Sequence, residues 1–397
     1  EEDDIEYFKS KGMFSDEFID YLKNFEFECD VWAMEEGTVV FPNEPLLIVR
    51  GPAIQAQMIE TMALILINHQ TLIATKTNRI VKSADGRAVM EFGSRRAQGA
   101  DAATIGARAA YIGGVVGSAN AYADKLYGVP ALGTMAHSWV MMFENEYEAF
   151  RAYAETFPDD TTLLVDTYDT LKSGIPNAIK VFDEVLKPMG KRPAGIRLDS
   201  GDIAYLSKKA RRMLDEAGYE DCKIVASSAL DEFKIKDMLD QGAKVDSFGV
   251  GERLITSMSH PVFGGVYKLV ATEEDGNITP KIKISENVEK ITTPGFKQVY
   301  RFYDNDDNKA IADLVCLHDE EITDDEIEIF HPVHTWKRKT LTNFHTKKLL
   351  VPIFEKGKLV YELPSLEDIK KNKEREVDTL WDCLLYTSDA ADDSLRV

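Results

Sequence analysis

Cysteine is scarce in this chain. There are four in 397 residues, at 29, 222, 316 and 383, and none forms a CxxC pair. That scatter argues against a disulfide frame or a zinc knuckle and fits a reducing compartment. Basic charge is in deficit: 47 Lys and Arg stand against 68 Asp and Glu, a formal net charge of −21. Nucleic-acid binding rests on cationic neutralisation of phosphates, so this balance argues against such a partner. Long apolar runs are also missing. The longest near the front, TMALILINHQTLIAT, contains Asn68, His69 and Gln70 and is too short and polar to span a bilayer. It reads as a buried helix, with His69 a satisfied core histidine. The chain opens acidic, EEDDIEYF, without the basic-then-apolar order of a secretory leader. A cytoplasmic protein with no membrane partner is expected.

What is present is enough apolar residue, 44% of the chain, to bury a substantial core. Residues 31–52, VWAMEEGTVVFPNEPLLIVRGP, alternate β-rich runs with Gly and Pro and predict two or three antiparallel strands. A long helix is expected over about 53–83. Then AVMEFG, VPALGT, TLLVDT, AGIRLD, KIVASS, VDSFGV and GGVYKLV read as short strands, most of them followed by a helical segment. Strand alternating with helix at this spacing implies parallel βαβ units. Seven strands in roughly 185 residues approach a (β/α) barrel, slightly below its usual ~250 residues. An open doubly wound sheet is the alternative. From about Thr272 short strands (KIKIS, VYRFY, ADLVCL, EIEIF, LLVPIF, LVYEL) alternate with charged turns and end in a helix, SLEDIKKNKEREVDTLWD. The expected divisions are an incomplete N-terminal α+β domain with its long helix (1–85), an α/β barrel (86–271), a β-rich extension (272–383) and a foreign-looking tail (384–397). That tail resembles sequencing-adaptor read-through and is set aside.

Chemistry in parallel α/β folds collects at the carboxyl ends of strands. The residues just past each apolar run are Arg95 and Arg96, then Thr134 and His137, Asp166 and Asp169, then Arg197, Asp199, Ser200 and Asp202, then Ser227 and Ser228, and finally Gly249 and Gly251. This set suits an anionic, phosphorylated, hydroxyl-bearing substrate. Each member has a plainer reading. LDSGD is a good helix start, where one residue caps and Asp202 lies in the first turn. GVGERL lacks the third glycine of a dinucleotide fingerprint, which leaves a barrel-type phosphate loop. Tandem arginines are usually solvated, yet the apolar and small neighbours here favour one pointing inward. His331 and His334 sit among Lys337, Arg338 and Lys339, a poor cation site, so no residues are assigned to a metal.

Together, EFGSRRAQG, GTMAHSW, LLVDTYDTLKSGIPNAIK, GIRLDSGDIAYLSKKARRMLDEAG, FGVGERLIT, FGGVYKLV and HTWKRKTL resemble the nicotinate phosphoribosyltransferase family, over residues 1 to about 383. The resemblance implies a type II phosphoribosyltransferase: an irregular α/β barrel with an added β-rich α+β domain, acting as a homodimer. It implies transfer of 5-phosphoribosyl from 5-phosphoribosyl 1-diphosphate to nicotinate, giving nicotinate mononucleotide and diphosphate, coupled to ATP hydrolysis and assisted by Mg²⁺. Carried onto this chain, His137 becomes the phosphate acceptor, and Asp166 and Asp199 line the ribose and diphosphate side. Thr134 and Ser138 contact substrate, Arg197 holds the nicotinate carboxylate or an adjoining phosphate, and Arg95 binds phosphate. Asp202 and Ser228 complete the substrate shell, and the Gly249–Gly251 loop takes the 5-phosphate. The other readings are a nicotinamide or quinolinate phosphoribosyltransferase, or an inactive phosphosugar-binding fragment.

The chain departs from the family pattern in three places. Glu252 stands where the phosphate loop often has Thr, and is expected to point away from phosphate. Ser228 stands where Asn is usual. The TDLYQLTM-like opening and its aromatic pair, which stacks on the nicotinate ring, are not found. The expected outcome is a poorly folding N-terminal domain and little turnover for residues 1–397 alone. Assaying this chain beside one extended at the front checks it, and equal turnover would sink the expectation.

Overall fold

The computed structural model describes residues 1–284, 286, 291–323, 325–332 and 334–381. Cys383 and the tail set aside above lie outside the described residues. The chain divides into two compact units. One comprises Glu1–Leu64, Val266–Pro364 and the described residues from Arg375 on; the other comprises Ile65–Gly265 and Ser365–Glu374. No helix among the described residues is long and apolar enough to cross a membrane.

The second unit is built on six parallel strands: β1 (Ala88–Glu91), β2 (Gly117–Ser118), β3 (Thr162–Leu164), β4 (Gly195–Leu198), β5 (Lys223–Ala226) and β6 (Ser247–Val250). Their order in the sheet is β2-β1-β6-β5-β4-β3. The first strand pairs in parallel with the last, which is the cyclic strand order of an α/β barrel. The VPALGT run contributes a single parallel bridge, Ser118 to Ala131. The short, β-branched strands bury Val89, Leu163, Leu164, Ile196, Ile224 and Phe248 to 1% exposure or less. Each such side chain contributes about 1.5–3 kcal/mol by leaving water.

The helices follow from their spacing. Ile203–Glu216 buries Ile203, Ala204, Ser207, Ala210 and Leu214 on one stripe and turns its Lys and Arg residues outward. Asp202 caps it, accepting the Tyr205 N–H at 2.9 Å. Asp169 caps the wide turn Thr170–Gly174 in the same way.

Three sequence expectations are corrected. The helical segment expected after the first of these strands, ATIGARAAYIGGVVGSANAYADKLYG, is not one helix. It breaks into Ala100–Gly113, strand β2 and Ala121–Tyr127. The paired glycines end the first helix, with Gly114 at φ 122°, a conformation that favours Gly. GGVYKLV forms no strand. The long helix is interrupted at Ile59, giving Ala53–Met58 and Glu60–Ser83.

The first unit holds a four-stranded antiparallel sheet in which Asp30–Met34 lies between Leu47–Arg50 and Leu350–Glu355, with Lys358–Leu359 at the edge. The front of the chain thus pairs with its far end, where the sequence suggested separate divisions. Lys297–Asp304 pairs with Ala310–Leu317 and with Phe344–Lys348, a strand that sequence reading missed. Of KIKIS, residues 281–284 are described and form no strand. On the Lys297–Asp304 strand, Arg301 is fully buried, forks onto Asp313 at 2.9 and 2.7 Å and reaches Glu376 at 3.0 Å.

Glu44 joins this cluster. Burial, and then a hydrogen bond with Asp313, push its carboxyl up to about 9. A raised acid in the folded state holds a proton that the unfolded chain has lost. Its contribution is therefore complete below the unfolded value of 4.5 and is lost as pH rises through about 9. Glu44→Gln keeps the shape and removes the titration. The variant should melt a few degrees higher than the parent at pH 8 and show a smaller difference at pH 5. Equal differences at both pH values, read by differential scanning calorimetry, would refute this.

Candidate active site

The carboxyl ends of four barrel segments converge on one hydrogen-bonded network. Its centre is Asp166, just past β3, whose side chain is 1% exposed. Asp166 Oδ1 lies 3.1 Å from His137 Nε2. Asp166 Oδ2 accepts the Asp199 N–H at 3.0 Å and the Ser200 hydroxyl at 2.6 Å. A carboxylate in that position takes a proton donor on the histidine side, so Nε2 carries hydrogen and the lone pair is left on Nδ1. The His137 side chain is 39% exposed, open enough for Nδ1 to meet a ligand.

Arg197 on β4 extends the network. Its Nε donates to Ser227 Oγ at 2.8 Å, one terminal nitrogen to Thr134 Oγ1 at 2.9 Å, and the other to Asp199 Oδ1 at 2.9 Å. Three of five guanidinium N–H groups are thereby used, and the remaining two can hold a planar anion. Asp199 Oδ1 also accepts the Ser227 hydroxyl. The guanidinium lies 5.6 Å from the centroid of the Phe92 ring, a cation–π contact that fixes its plane.

Phe92 also explains a glycine. A Cβ on Gly249 would stand 2.5 Å from that ring, so the residue inside β6 must be bare for the ring to lie there. Gly251 begins the next turn, and its carbonyl accepts the N–H groups of Leu254 and Ile255. Of the tandem arginines, Arg96 pairs with Glu252 at 3.2 Å, while Arg95 is exposed and holds no such pair among the described residues. Glu252 is thus turned onto a neighbouring cation.

The structure brings His137, Asp166, Asp199, Arg197 and Thr134 into one hydrogen-bonded network. Asp202 is placed as a helix cap. Ser228 is exposed, at φ 110°, and its neighbour Ser227 is the one that joins the network. Ser138 is exposed on the short helix His137–Met141. Phe92, Glu91 and Glu146 were missed. Glu146 is 3% exposed and accepts the Ser173 hydroxyl at 2.6 Å. Burial raises its pKa, and the nearby charge of Asp166 adds to the effect. Strand periodicity could have flagged Glu91, an acid within an apolar strand. His69 contacts the Ala102 carbonyl at 3.2 Å, a satisfied histidine.

Among the described residues, no group of three His, Cys, Asp or Glu is placed to hold a metal ion. A magnesium ion, which commonly arrives on substrate phosphates and needs only one or two carboxylates, fits differently. The Asp199 side chain is 28% exposed, and only its Oδ1 is used in the network.

Fold and network place the chain among the α/β-barrel enzymes that work at the carboxyl ends of their strands. Its relatives narrow this. Residues 87–313 match the nicotinate phosphoribosyltransferase (NAPRTase) family, residues 1–68 that family's N-terminal domain and residues 296–387 its C-terminal domain. A nicotinate phosphoribosyltransferase of Bacillus subtilis is 48% identical over 96% of this chain and 77% of its own length. One from Mycobacterium tuberculosis is 39% identical over 96% and 75%. Among solved structures, human nicotinic acid phosphoribosyltransferase aligns with TM-score 0.84 at 27% identity, over 96% of this chain and 83% of that one. The chain belongs to the nicotinate phosphoribosyltransferase family, enzymes of NAD biosynthesis.

Asp166→Asn preserves the shape of the site but cannot accept on both atoms, which leaves either His137 or the Asp199 and Ser200 donors without a partner. Turnover should fall on the order of 100-fold or more, with the melting temperature moving only a few degrees. Turnover within threefold of the parent would overturn the central place given to Asp166.

Proposed function

We propose that this chain transfers 5-phosphoribosyl from 5-phosphoribosyl 1-diphosphate to nicotinate, coupled to ATP hydrolysis through a phosphate carried on His137. The observation that supports this most directly is the His137–Asp166 pair. It directs Nε2 to the carboxylate and leaves Nδ1 open to a ligand. Nδ1 attacks the γ-phosphorus of ATP, an N–P bond forms, and the electron pair of the broken P–O bond leaves with ADP. Asp166 accepts the Nε2–H throughout and stabilises the cation that develops on the ring.

In the transfer step the nicotinate ring nitrogen bonds to the anomeric carbon, and the C–O bond breaks with its electron pair leaving on diphosphate. Carboxylates near the sugar stabilise the oxocarbenium-like charge, and Asp199 takes this role. Arg197 holds the nicotinate carboxylate with its two free N–H groups, and Phe92 offers a ring face beside it. Thr134 and Ser227 keep the guanidinium in plane. Arg95, unpaired and exposed, meets phosphate. Ser138, Ser228 and the Gly249–Gly251 turn line the approach. Mg²⁺ bound to the diphosphate would find Asp199 Oδ2, and supplies charge neutralisation of the leaving group.

The cytoplasm is the compartment proposed, in keeping with the free thiols of Cys29, Cys222 and Cys316. A homodimer is also proposed. Ile54, Met58 and Met62 are exposed at helical spacing, an apolar stripe suited to a second copy. Light scattering after gel filtration should give twice the chain mass, and a monomer at micromolar concentration would sink that assignment.

His137→Ala tests the main reading. Labelled ATP should phosphorylate the parent and not the variant, while binding of 5-phosphoribosyl 1-diphosphate survives. Equal labelling of both would remove His137 from the mechanism. Competition between pyridines separates the related activities: nicotinamide should not compete if Arg197 pairs with a carboxylate.

A further inference from the structure

We propose that Glu91, acting with Ser118, is a positioning residue that keeps the turn bearing Phe92 and Arg95 in register with the segment bearing Thr134 and His137. The proposal builds on the roles assigned above to those four residues. Glu91 ends β1 and is fully buried. One carboxylate oxygen accepts the Gly93 N–H, and the other accepts the Ser118 hydroxyl at 2.5 Å. The Glu91 carbonyl accepts the Ala119 N–H at 2.9 Å.

Each contact leads to a different arm of the site. Gly93 opens the turn Ser94–Arg96, and a Cβ on it would stand 2.6 Å from the Gly251 carbonyl oxygen. The turn is therefore wedged against the end of β6. Ser118 reaches the other way. Its Oγ accepts the Asn120 N–H at 3.0 Å, its own N–H donates to the Pro130 carbonyl at 2.9 Å, and its carbonyl accepts the Leu132 N–H at 2.8 Å. Thr134 and His137 follow Leu132 directly along the chain. A single carboxylate thus connects the arginine turn to the histidine segment.

Packing alone does not account for an acid here. A leucine would fill similar volume without the desolvation cost of a buried carboxyl, and burial does raise the Glu91 pKa. What a leucine lacks is two acceptor oxygens at fixed angles. These hold two otherwise separate loops at one distance.

The experiment compares Glu91→Gln and Ser118→Ala with the parent. Affinity for 5-phosphoribosyl 1-diphosphate is measured by calorimetric titration, with melting temperature and nicotinate turnover alongside. Glu91→Gln keeps an acceptor for Gly93 and weakens the link to Ser118, while Ser118→Ala removes that link together with the acceptor for the Asn120 N–H. Both should bind on the order of 10-fold more weakly, with folding cooperativity kept. Parent-like affinity in both variants overturns the proposal, even if turnover drops in step with the folded fraction. If Glu91→Gln does not fold, Ser118→Ala decides by the same reading. A parent that binds 5-phosphoribosyl 1-diphosphate but does not convert nicotinate defeats the proposed function instead.

Discussion

A carboxylate almost closed to water, Asp166, is the centre of the hydrogen-bonded network at the strand ends of the barrel. Its two oxygens face different tasks. One takes the imidazole of His137 and the other takes the backbone of Asp199 and the hydroxyl of Ser200. A buried anion of this kind survives only if fully hydrogen-bonded. The donors are therefore not optional, and the loops that supply them are fixed. Through Asp199 the constraint passes to Arg197, and from there to Thr134 and Ser227.

The cyclic strand order of the barrel makes this possible. With β1 beside β6 as well as β2, the ends of strands far apart in sequence open onto one space. Close approach has a steric requirement. Gly249 leaves room for the Phe92 ring, and Gly93 leaves room for the Gly251 carbonyl. The ring in turn lies beneath the guanidinium that the network holds. Small residues at the sheet and ionic residues at its rim are parts of one arrangement. The other unit has a comparable buried knot, Arg301 with Asp313 and Glu376. That knot ties strands of a β-rich unit, not a site.

Much of the site was legible because strand ends are legible. An apolar β-branched run stops where a polar residue begins, and in a parallel fold that point lies at the functional face. His137, Asp166, Arg197 and Asp199 could all be located this way. Elements whose sequence signal is short or ambiguous were not legible. Strand β2 is two residues long, Gly117–Ser118, and sits in a small-residue run whose composition also suits a helix. Ser227 and Ser228 look alike in sequence, but just past β5 Ser227 is buried against Arg197 while Ser228 is exposed at φ 110°. Phe92 and Gly249 lie more than 150 residues apart, so no local pattern could report their contact.

The sequence by itself determined the parallel α/β class, the helix caps, the location of the polar strand ends and the family likeness. These depend on periodicity and on motifs a few residues long. The tertiary structure decided which of those polar groups share a network, which nitrogen of His137 is free, and that Glu91 and Ser118 link two arms of the site. The reason is physical: hydrogen bonds act over about 3 Å, and residues so widely spaced along the chain come that near only once the parallel strands are assembled side by side.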